Sequence, residues 1–287
     1  MTYIEKIKNM TSYNTIGIIY NSLSEPASKL SRKIIDNFSN DKTFWSANEI
    51  DILNQKDKIN QSDLIIAVGG DGTILRVAHL VADHNIPILG INMGRVGFMS
   101  EIEESDAIKA LPWYFEGNAR IEKRYMLEAI SLKTNEVFAI SLNDIAVARG
   151  NLIRVAEIAT YIDGVHLATY RCDGIIVSTA TGSTGYNLAL GGPVLDPLSK
   201  DFILKPIASH MSQFGGVVLS SSSRIKIEII SDQQINFSSD GFIDKQLKKS
   251  DQIEIYQSKK YISFLRKKQS SEFWGDITRK LGIRKGI

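Results

Sequence analysis

An aspartate lies inside the glycine turn at residues 69–72, where the chain reads Gly-Gly-Asp-Gly. The apolar run at residues 64–68 has the length of a β-strand, and a helical pattern starts at Thr73. Glycine lets a ligand approach the backbone closely, and the free N–H groups at a helix start attract anions. A carboxylate is unfavourable in such a place unless it takes part in chemistry. Asp71 is therefore a candidate catalytic residue, and a helix-capping aspartate is the structural alternative.

A second polar segment, residues 171–197, contains a short apolar strand at residues 175–177 and then a dense run of hydroxyls and glycines. These residues are Ser178, Thr179, Thr181, Gly182, Ser183, Thr184 and Gly185. Hydroxyl and free N–H groups hold phosphate and sugar oxygens. The ring of Tyr186 can stack on a base, and Asp173 offers acceptors to an amide or amine. A plain loop explains the glycines but not the clustering of the other residues.

Asn143 and Asp144 end a third apolar run, at residues 137–142. Their side chains suit a base edge and a ribose diol, whereas a plain turn is the alternative because Asn-Asp pairs are common in turns. The chain has neither a GxxxxGK[ST] loop nor a GxGxxG loop. Asp71 therefore belongs to neither of the common phosphate-binding loops.

The elements before Arg120 alternate between strand and helix. Strands are predicted at residues 16–20, 64–68 and 86–91, and helices at residues 28–38, from Thr73 and at 107–116. The helix after the glycine turn has Leu75, Ala78, His79 and Ala82 on one face, with Ile74, Val77 and Val81 beside them. Strand, turn, helix and strand form a βαβ unit, which indicates an α/β domain with a parallel sheet. Ligands of such sheets bind at the carboxyl ends of the strands.

After Arg120 the apolar period drops to two, which is typical of β-strands. Strands are predicted at residues 124–132, 137–142 and 155–162, at Ile225–Ile227–Ile229, and around Ile253, Ile255 and Tyr261. Turn pairs at Asp163-Gly164 and Asp240-Gly241 favour hairpins and a sandwich-like, all-β domain. The last segment is predicted to be helical, with Trp274, Ile277 and Leu281 on one stripe, and we expect it to pack against one of the domains. We expect an α/β domain at residues 1–120 with the tail 268–287, and a β-rich domain at residues 121–267.

The composition narrows the class of protein. A chain of 287 residues with a formal charge of +2 lacks the basic excess of a dedicated nucleic-acid binder. The start has no apolar core for a signal peptide, and no run approaches the roughly 20 apolar residues of a membrane span. Cys172 is the only cysteine, which excludes an intrachain disulfide and favours the cytoplasm. His79, His84, His166 and His210 form no metal-ligand pair, so no protein metal ligands are predicted.

The GGDGT sequence at residues 69–73, the Asn143-Asp144 pair and the segment DGIIVSTATGSTGYNLALGGP from Asp173 together resemble the NAD kinase family. The resemblance covers the chain from about residue 16 to the C-terminal tail. It implies transfer of phosphate from ATP to the 2′-hydroxyl of the adenosine ribose of NAD, giving NADP. It also implies a divalent cation, expected to be Mg²⁺, and assembly as a homodimer or homotetramer. NAD and ATP are then the partners, without nucleic acid or membrane.

The resemblance also implies roles for individual residues. Asp71 matches the proton acceptor, Gly72 a neighbouring backbone contact and Arg76 a basic position near phosphate. Asn143 and Asp144 match the pair that holds base and ribose. The other matched NAD contacts are Arg154, Arg171, Asp173, Thr184, Gly185, Tyr186, Asn187, Leu188 and Ala189. Phe98 matches an aromatic position near the same pocket, where a structural role is an equal alternative.

Two positions depart from the family pattern, and three other functions stay open. Many relatives carry Glu at Asp144, and many carry Gln at the position of Phe242, so no ligand contact is assigned to Phe242. GGDGT is shared with diacylglycerol, sphingosine and phosphofructokinase relatives. A lipid kinase, which predicts an apolar acceptor pocket, and a small-molecule sugar kinase are therefore alternatives. A non-catalytic dinucleotide sensor is the third, and it would not need Asp71.

Overall fold

The computed structural model describes residues 12–94, 97–150, 154–209 and 215–280. The chain divides into two compact units, Met1–Lys123 with Ile262–Ile287, and Arg124–Tyr261. The first part of unit one contains β1 (Thr15–Tyr20), α1 (Glu25–Phe38), β2 (Thr43–Asn48), α2 (Lys56–Asn60), β3 (Leu64–Gly69), α3 (Asp71–Val81), β4 (Ile88–Asn92), β5 (Ile102–Glu103) and α4 (Ala107–Phe115). Among the described helices, none is long and apolar enough to span a membrane.

Unit one is built on a parallel sheet in the order β2, β1, β3, β4, β5. All six residues of β3 are buried, as expected for a central parallel strand covered on both faces. The core contains residues of β1, β3, β4, α1 and α4. Because β3 ends at Gly69 and α3 begins at Asp71, the glycine turn lies at the carboxyl end of a central strand.

Several predicted element boundaries of unit one need correction. Helix α1 starts three residues earlier than predicted because Ser24 Oγ accepts a hydrogen bond from the Ala27 N–H and caps it. Strand β4 begins two residues later than predicted, after Pro87, which lacks an N–H donor. On α3 the buried residues are Thr73, Ile74, Val77, Ala78 and Val81, so only Ala78 of the predicted face is buried. Strand β2 was not predicted at all.

The rest of the chain contains β6 (Arg120–Ser131), β7 (Val137–Ser141), β8 (Asp144–Arg149), β9 (Ala156–Ile162), β10 (Val165–Cys172), β11 (Gly174–Thr179), α5 (Tyr186–Ala189), β12 (Phe202–Ile207), β13 (Val217–Leu219), β14 (Arg224–Ile229), β15 (Ile235–Ser239), β16 (Phe242–Leu247), β17 (Gln252–Arg266) and α6 (Glu272–Lys280). The end of β17 and all of α6 belong to unit one. Within unit one, Phe264 of β17 pairs in parallel with Ile88 of β4. His210 and Leu281 lie outside the described residues.

Unit two is an antiparallel sandwich. One sheet has the order β13, β12, β11, β8, β15, β16, and β10, β9, β14 and β17 follow one another in the second. Buried residues of both sheets form one core, with Ile145 and Val177 from the first and Ile158 and Ile253 from the second. The fold class predicted from the sequence is confirmed: an α/β unit with a mostly parallel sheet, a β sandwich and a C-terminal helix.

Both predicted hairpin turns of unit two are confirmed. Asp163 and Gly164 have φ values of 51° and 84°, and they join β9 to β10. Asp240 and Gly241 have φ values of 50° and 87°, and they join β15 to β16. Two consecutive residues with positive φ match the twist of the flanking strands, which explains the Asp-Gly sequences.

Candidate functional site

The Asp71 carboxylate is held by peptide groups of a distant segment. Its Oδ2 accepts a hydrogen bond from the Phe98 N–H at 2.8 Å, and its Oδ1 accepts one from the Met99 N–H at 3.1 Å. The N-cap of α3 is Gly70, which has no side chain, while Asp71 is the first helical residue. The alternative that Asp71 caps its own helix is therefore wrong. Because a carboxylate has about four acceptor positions, two of them stay available after these bonds.

Three glycines around Asp71 have different reasons to be glycine. A Cβ on Gly97 would lie 2.2 Å from Asp71 Oδ1, so Gly97 is required for the carboxylate to occupy its place. A Cβ on Gly70 or Gly72 would meet no atom within 4 Å. Packing does not explain these two glycines, whereas a ligand that approaches the backbone does.

A cavity of about 370 Å³ opens at this turn in unit one. Its described lining consists of Asn21, Ser24, Gly69, Gly70, Asp71, Asn92, Met93, Gly94 and Gly97. The first N–H groups of a helix have no intrahelical partners, so the start of α3 favours an anion here. Gly72 and Arg76 are exposed on α3 and stand outside that described lining.

In unit two, one carboxylate holds the segment that carries Asn143 and Asp144. Asp240 accepts hydrogen bonds from the backbone N–H groups of Leu142 at 2.8 Å, Asn143 at 2.7 Å and Asp144 at 2.9 Å. The Asp240 N–H in turn donates to the Asp144 carbonyl at 2.9 Å. Sequence reasoning assigned only a turn to Asp240, and the Asp-Gly pair carried no further signal of this contact.

A second cavity, of about 420 Å³, lies beside this segment. Its described lining consists of Asn143, Asp144, Ala146, Ala148, Arg149, Tyr186, Asn236, Ser238, Asp240 and Gly241. The structure thus brings together three of the predicted contacts, Asn143, Asp144 and Tyr186. The Tyr186 ring is 45% exposed, as a stacking surface requires. Arg149, Asn236 and Ser238 add polar groups that sequence reasoning missed.

The electrostatics of this cavity are dominated by two acidic residues. Asp144 is 8% exposed, and burial raises the pKa of its carboxyl to about 7, with a further contribution from the negative charge of Asp240. Burial also raises the pKa of Tyr186, assisted by the charges of Asp144 and Asp173. A ligand that donates hydrogen bonds to Asp144 would stabilise its charged form and lower its pKa.

The hydroxyl-rich loop after β11 uses several of its hydroxyls internally. Thr179 Oγ1 donates to the Leu142 carbonyl at 2.6 Å and accepts from the Gly182 N–H at 3.0 Å. Ser183 Oγ donates to the Ala180 carbonyl at 2.6 Å. A Cβ on Gly182 would lie 2.0 Å from the Asn143 carbonyl oxygen, so the loop packs closely on residue 143. These groups fix the position of Asn143 instead of facing a ligand.

The remaining predicted residues of this loop differ in exposure. Asn187 is fully buried, and its Nδ2 donates to the carbonyls of Ser183 at 3.1 Å and Pro193 at 2.9 Å. Thr184 Oγ1 donates to the Thr181 carbonyl at 3.1 Å. Gly185 and Ala189 are exposed, and Leu188 is half-buried. The predicted ligand contacts of Thr184, Gly185, Asn187, Leu188 and Ala189 stay predictions.

The predicted arginines and Asp173 stand outside the described lining of the second cavity. Asp173 forms a two-point ion pair with Arg149, at 2.7 and 3.3 Å, and Arg149 does line the cavity. Arg171 is exposed and pairs with Glu157 at 3.3 Å. Arg154 is exposed, and its carbonyl accepts a hydrogen bond from Gln233. Their roles also stay predictions.

The Gly-Gly-Asp-Gly-Thr turn between β3 and α3 of an α/β unit is typical of one class of kinases. Residues 16–119 match the family model of the ATP-NAD kinase N-terminal domain, and residues 142–267 match that of the ATP-NAD kinase C-terminal domain. The chain belongs to the NAD kinase family.

Relatives and solved structures agree with this assignment. An NAD kinase of Dehalococcoides mccartyi strain CBDB1 is 38% identical over 282 residues, covering 94% of this chain and 96% of the relative. One of Chloroflexus aurantiacus is 32% identical over 270 residues, covering 93% and 98%. An Archaeoglobus fulgidus NAD kinase in complex with ATP has a TM-score of 0.74 at 26% identity, covering 94% and 99%. Yeast NADH kinase complexed with NADH shares the fold, with a TM-score of 0.85 at 23% identity, covering 96% and 90%.

The predicted family and enzyme class are thereby confirmed. The chain is an NAD kinase, an enzyme that uses ATP to phosphorylate NAD. A lipid kinase, a sugar kinase and a non-catalytic sensor are not favoured. The lining of the second cavity includes the charged side chains of Asp144, Arg149 and Asp240, which a lipid acceptor would not need.

Proposed function

We propose that the phosphoryl group goes to the 2′-hydroxyl of the adenosine ribose of NAD and that Asp71 accepts the proton of this hydroxyl. One observation carries the proposal: a carboxylate with acceptor positions to spare lines a cavity at a helix start that otherwise favours anions. A general base must come within about 2.6–3.2 Å of the proton donor's heavy atom. The hydrogen bonds from Phe98 and Met99 fix the carboxylate in one orientation, as such positioning requires.

Positioning matters here more than basicity. An ordinary carboxyl group has a pKa near 4 and is a weak base toward a ground-state alcohol. In the loose transition state of phosphoryl transfer the nucleophile bonds late, so its proton also leaves late. A carboxylate held in line with the reacting oxygen then lowers the barrier chiefly through geometry. The N–H groups at the start of α3 offset part of the repulsion between Asp71 and phosphate.

For NAD itself, we assign recognition to the cavity of unit two. Tyr186 presents an exposed ring for base stacking, and the Asp144 carboxylate can accept hydrogen bonds from both hydroxyls of a ribose. Asn143 is held by Asp240 beside them. We propose that Asp173, predicted as an NAD contact, also orients Arg149 through their ion pair, since Arg149 lines the cavity. Together these residues would bind the base and ribose of the adenosine end of a dinucleotide.

We further propose that ATP brings a divalent cation, with Mg²⁺ as the expected ion. Among the described residues there is no group of three or more His, Cys, Asp or Glu side chains that could hold a metal. Mg²⁺ keeps several waters and binds through substrate phosphates and one or two carboxylates. Asp71 is the carboxylate of the first cavity that could contact the ion. The cation would neutralise charge on the phosphates during transfer.

The cellular setting is part of the same proposal. The sole cysteine, Cys172, is buried and free, as expected of a cytoplasmic protein.

Val165 and Leu167 on the edge strand β10 are exposed apolar residues, which suits assembly as a homodimer or homotetramer. Light scattering on the purified protein distinguishes these assemblies from a monomer.

The product test concerns the position of the new phosphate. With NAD, ATP and Mg²⁺, we expect a product that supports a dehydrogenase specific for the 2′-phosphorylated cofactor. Chelation of divalent cations should abolish its formation, and added Mg²⁺ should restore it. A 3′-phosphorylated product, or full turnover in the presence of chelator, would contradict the proposal at that point.

Gly97→Ala tests whether the place of the Asp71 carboxylate matters. The new Cβ would lie 2.2 Å from Asp71 Oδ1 and would displace it. We expect kcat to fall about fivefold because the carboxylate moves by a fraction of an ångström. The melting temperature should fall as well, since the displaced carboxylate accepts the hydrogen bonds from the N–H groups of Phe98 and Met99. Gly275→Ala, where open space surrounds the added methyl, is the matched control. An unchanged kcat would show that this placement is not needed.

A further inference from the structure

The segment that holds Asp71 has no regular secondary structure of its own. Residues 97–101 lie between β4 and β5 and belong to neither helix nor strand. Their position is therefore fixed by individual contacts. The N–H groups of Phe98 and Met99 donate to Asp71, and the Glu101 N–H donates to the Gly90 carbonyl at 2.9 Å. Whatever fixes the peptide groups between these two anchors also fixes the carboxylate.

Arg266, at the end of β17, contacts this segment directly. Its Nη1 donates a hydrogen bond to the Met99 carbonyl at 2.9 Å. Met99 is thus bonded on both sides, with its N–H to Asp71 and its C=O to Arg266. All three residues belong to unit one. The guanidinium is one residue away from the carboxylate along this chain of hydrogen bonds.

Arg266 is itself fixed by two buried carboxylates. It is 5% exposed, its Nε donates to Glu122 Oε1 at 3.3 Å, and its Nη1 lies 3.5 Å from Glu101 Oε2. Glu101 Oε1 accepts hydrogen bonds from the Tyr114 hydroxyl at 3.2 Å and the Lys267 N–H at 2.7 Å. The planar guanidinium can donate in several fixed directions at once, which an ammonium group cannot do. A desolvated network of this kind permits little motion of the Met99 carbonyl.

We infer that Arg266 is a positioning residue for the Asp71 carboxylate, acting through the backbone of Met99. The inference rests on the proposed role of Asp71 as proton acceptor. Arg266 touches neither cavity in the described lining and does not contact substrate in this scheme. Its contribution is to hold the peptide groups that orient the base, so its loss should appear in the catalytic step.

The test is steady-state kinetics of Arg266→Lys. This variant keeps the charge but loses the planar fork that bonds Met99 and Glu122 together. We expect kcat to fall about tenfold, while KM for NAD stays within about twofold. Arg120→Lys is the matched control, since Arg120 bonds the same Glu122 at 2.7 Å and the Lys268 carbonyl at 2.8 Å but not Met99. It should leave kcat unchanged even if the melting temperature falls.

A double-mutant cycle separates positioning from a general structural role. When Asp71 is already Asn, Arg266→Lys should lower kcat by less than about twofold, because both substitutions impair the same function, proton acceptance by Asp71. The inference would be overturned if the kcat losses of the two single variants multiply in the double variant. It would also be overturned if Arg266→Lys has a normal kcat and only a lowered melting temperature. A normal kcat for Asp71→Asn alone would instead overturn the proton-acceptor role. If Arg266→Lys does not fold, Glu122→Gln can be used instead, because it loosens the same guanidinium. An unchanged kcat of Glu122→Gln would also overturn the inference.

Discussion

Asp71→Asn is expected to lower kcat by about 10²–10⁴-fold, the usual cost of losing a general base. The KM for NAD should change much less, because the residues assigned to NAD recognition lie in unit two. Asparagine matches aspartate in size and keeps one acceptor oxygen. It lacks the second acceptor and the negative charge, which are the properties that proton transfer requires.

The same substitution also has a structural cost, which must be measured separately. The amide NH2 of asparagine would face the N–H of either Phe98 or Met99, so one backbone donor loses its acceptor. An unsatisfied donor typically costs about 1–3 kcal/mol of the free energy of unfolding. We therefore expect a lower melting temperature but a folded protein at the assay temperature.

Pre-steady-state kinetics and thermal melts on Asp71→Asn decide between the two roles of the carboxylate. Gly97→Ala serves as comparison, since it moves the carboxylate without removing it. If Asp71 is the base, kcat should fall slightly in Gly97→Ala, where the carboxylate is displaced, and strongly in Asp71→Asn, where it is removed. If Asp71→Asn keeps its kcat and only melts earlier, Asp71 holds residues 98 and 99 and does not transfer a proton.

The sequence was informative where local rules decide the structure. The turn at Asp163-Gly164 needs two residues with positive φ, and the Asp-Gly sequence predicts such a turn. Strand β12 was not predicted, and it contains Lys205 and Pro206, residue types that are unfavourable in a central strand. The structure accommodates both: Lys205 Nζ donates to the Gly215 carbonyl at 2.9 Å, and β13 pairs only with residues 202–204, leaving Pro206 beyond it. These compensations come from residues 215–219, which follow β12 in the chain.

The candidate site shows the same limit. Asp71, Asn143 and Tyr186 could be proposed from residue type and from their neighbours along the chain. Asp240 could not, because its three backbone partners at residues 142–144 lie almost one hundred positions away. Arg266 resembles any other arginine at the end of a strand until its contact with Met99 is seen. Supporting residues are defined by long-range pairing, which a single sequence does not display.

Asp144→Asn is expected to stabilise the fold above pH 7 and at the same time to weaken NAD binding. The stability effect follows from the pKa of Asp144, which burial and the nearby Asp240 charge raise from 3.8 to about 7. Between these two pH values the folded protein binds more protons than the unfolded chain. The free energy of unfolding contributed by this group therefore falls as the pH rises through that window. Above pH 7 the ionised carboxylate costs on the order of a few kcal/mol, which the neutral amide avoids.

The binding effect has the opposite sign because the ribose needs the carboxylate. Two hydroxyls of a ribose can donate to the two oxygens of Asp144, whereas asparagine offers one acceptor. We expect KM for NAD to rise by about tenfold or more, equivalent to at least about 1.4 kcal/mol. In the unsubstituted enzyme KM should fall as the pH rises past 7 and the carboxylate ionises. In Asp144→Asn, KM should not depend on pH in this range.

Thermal melts and NAD titrations between pH 5 and 9, on the enzyme and on Asp144→Asn, test both halves together. Asp201→Asn, at an exposed position of the same unit, is the control for removal of one negative charge. If Asp144 merely supports its turn, the opposite pattern must appear: the Asn variant would melt at a lower temperature at every pH, and its KM for NAD would be normal. A residue that lowers stability while it improves substrate binding is kept for function. The paired signs of the two effects therefore identify its role more securely than either measurement alone.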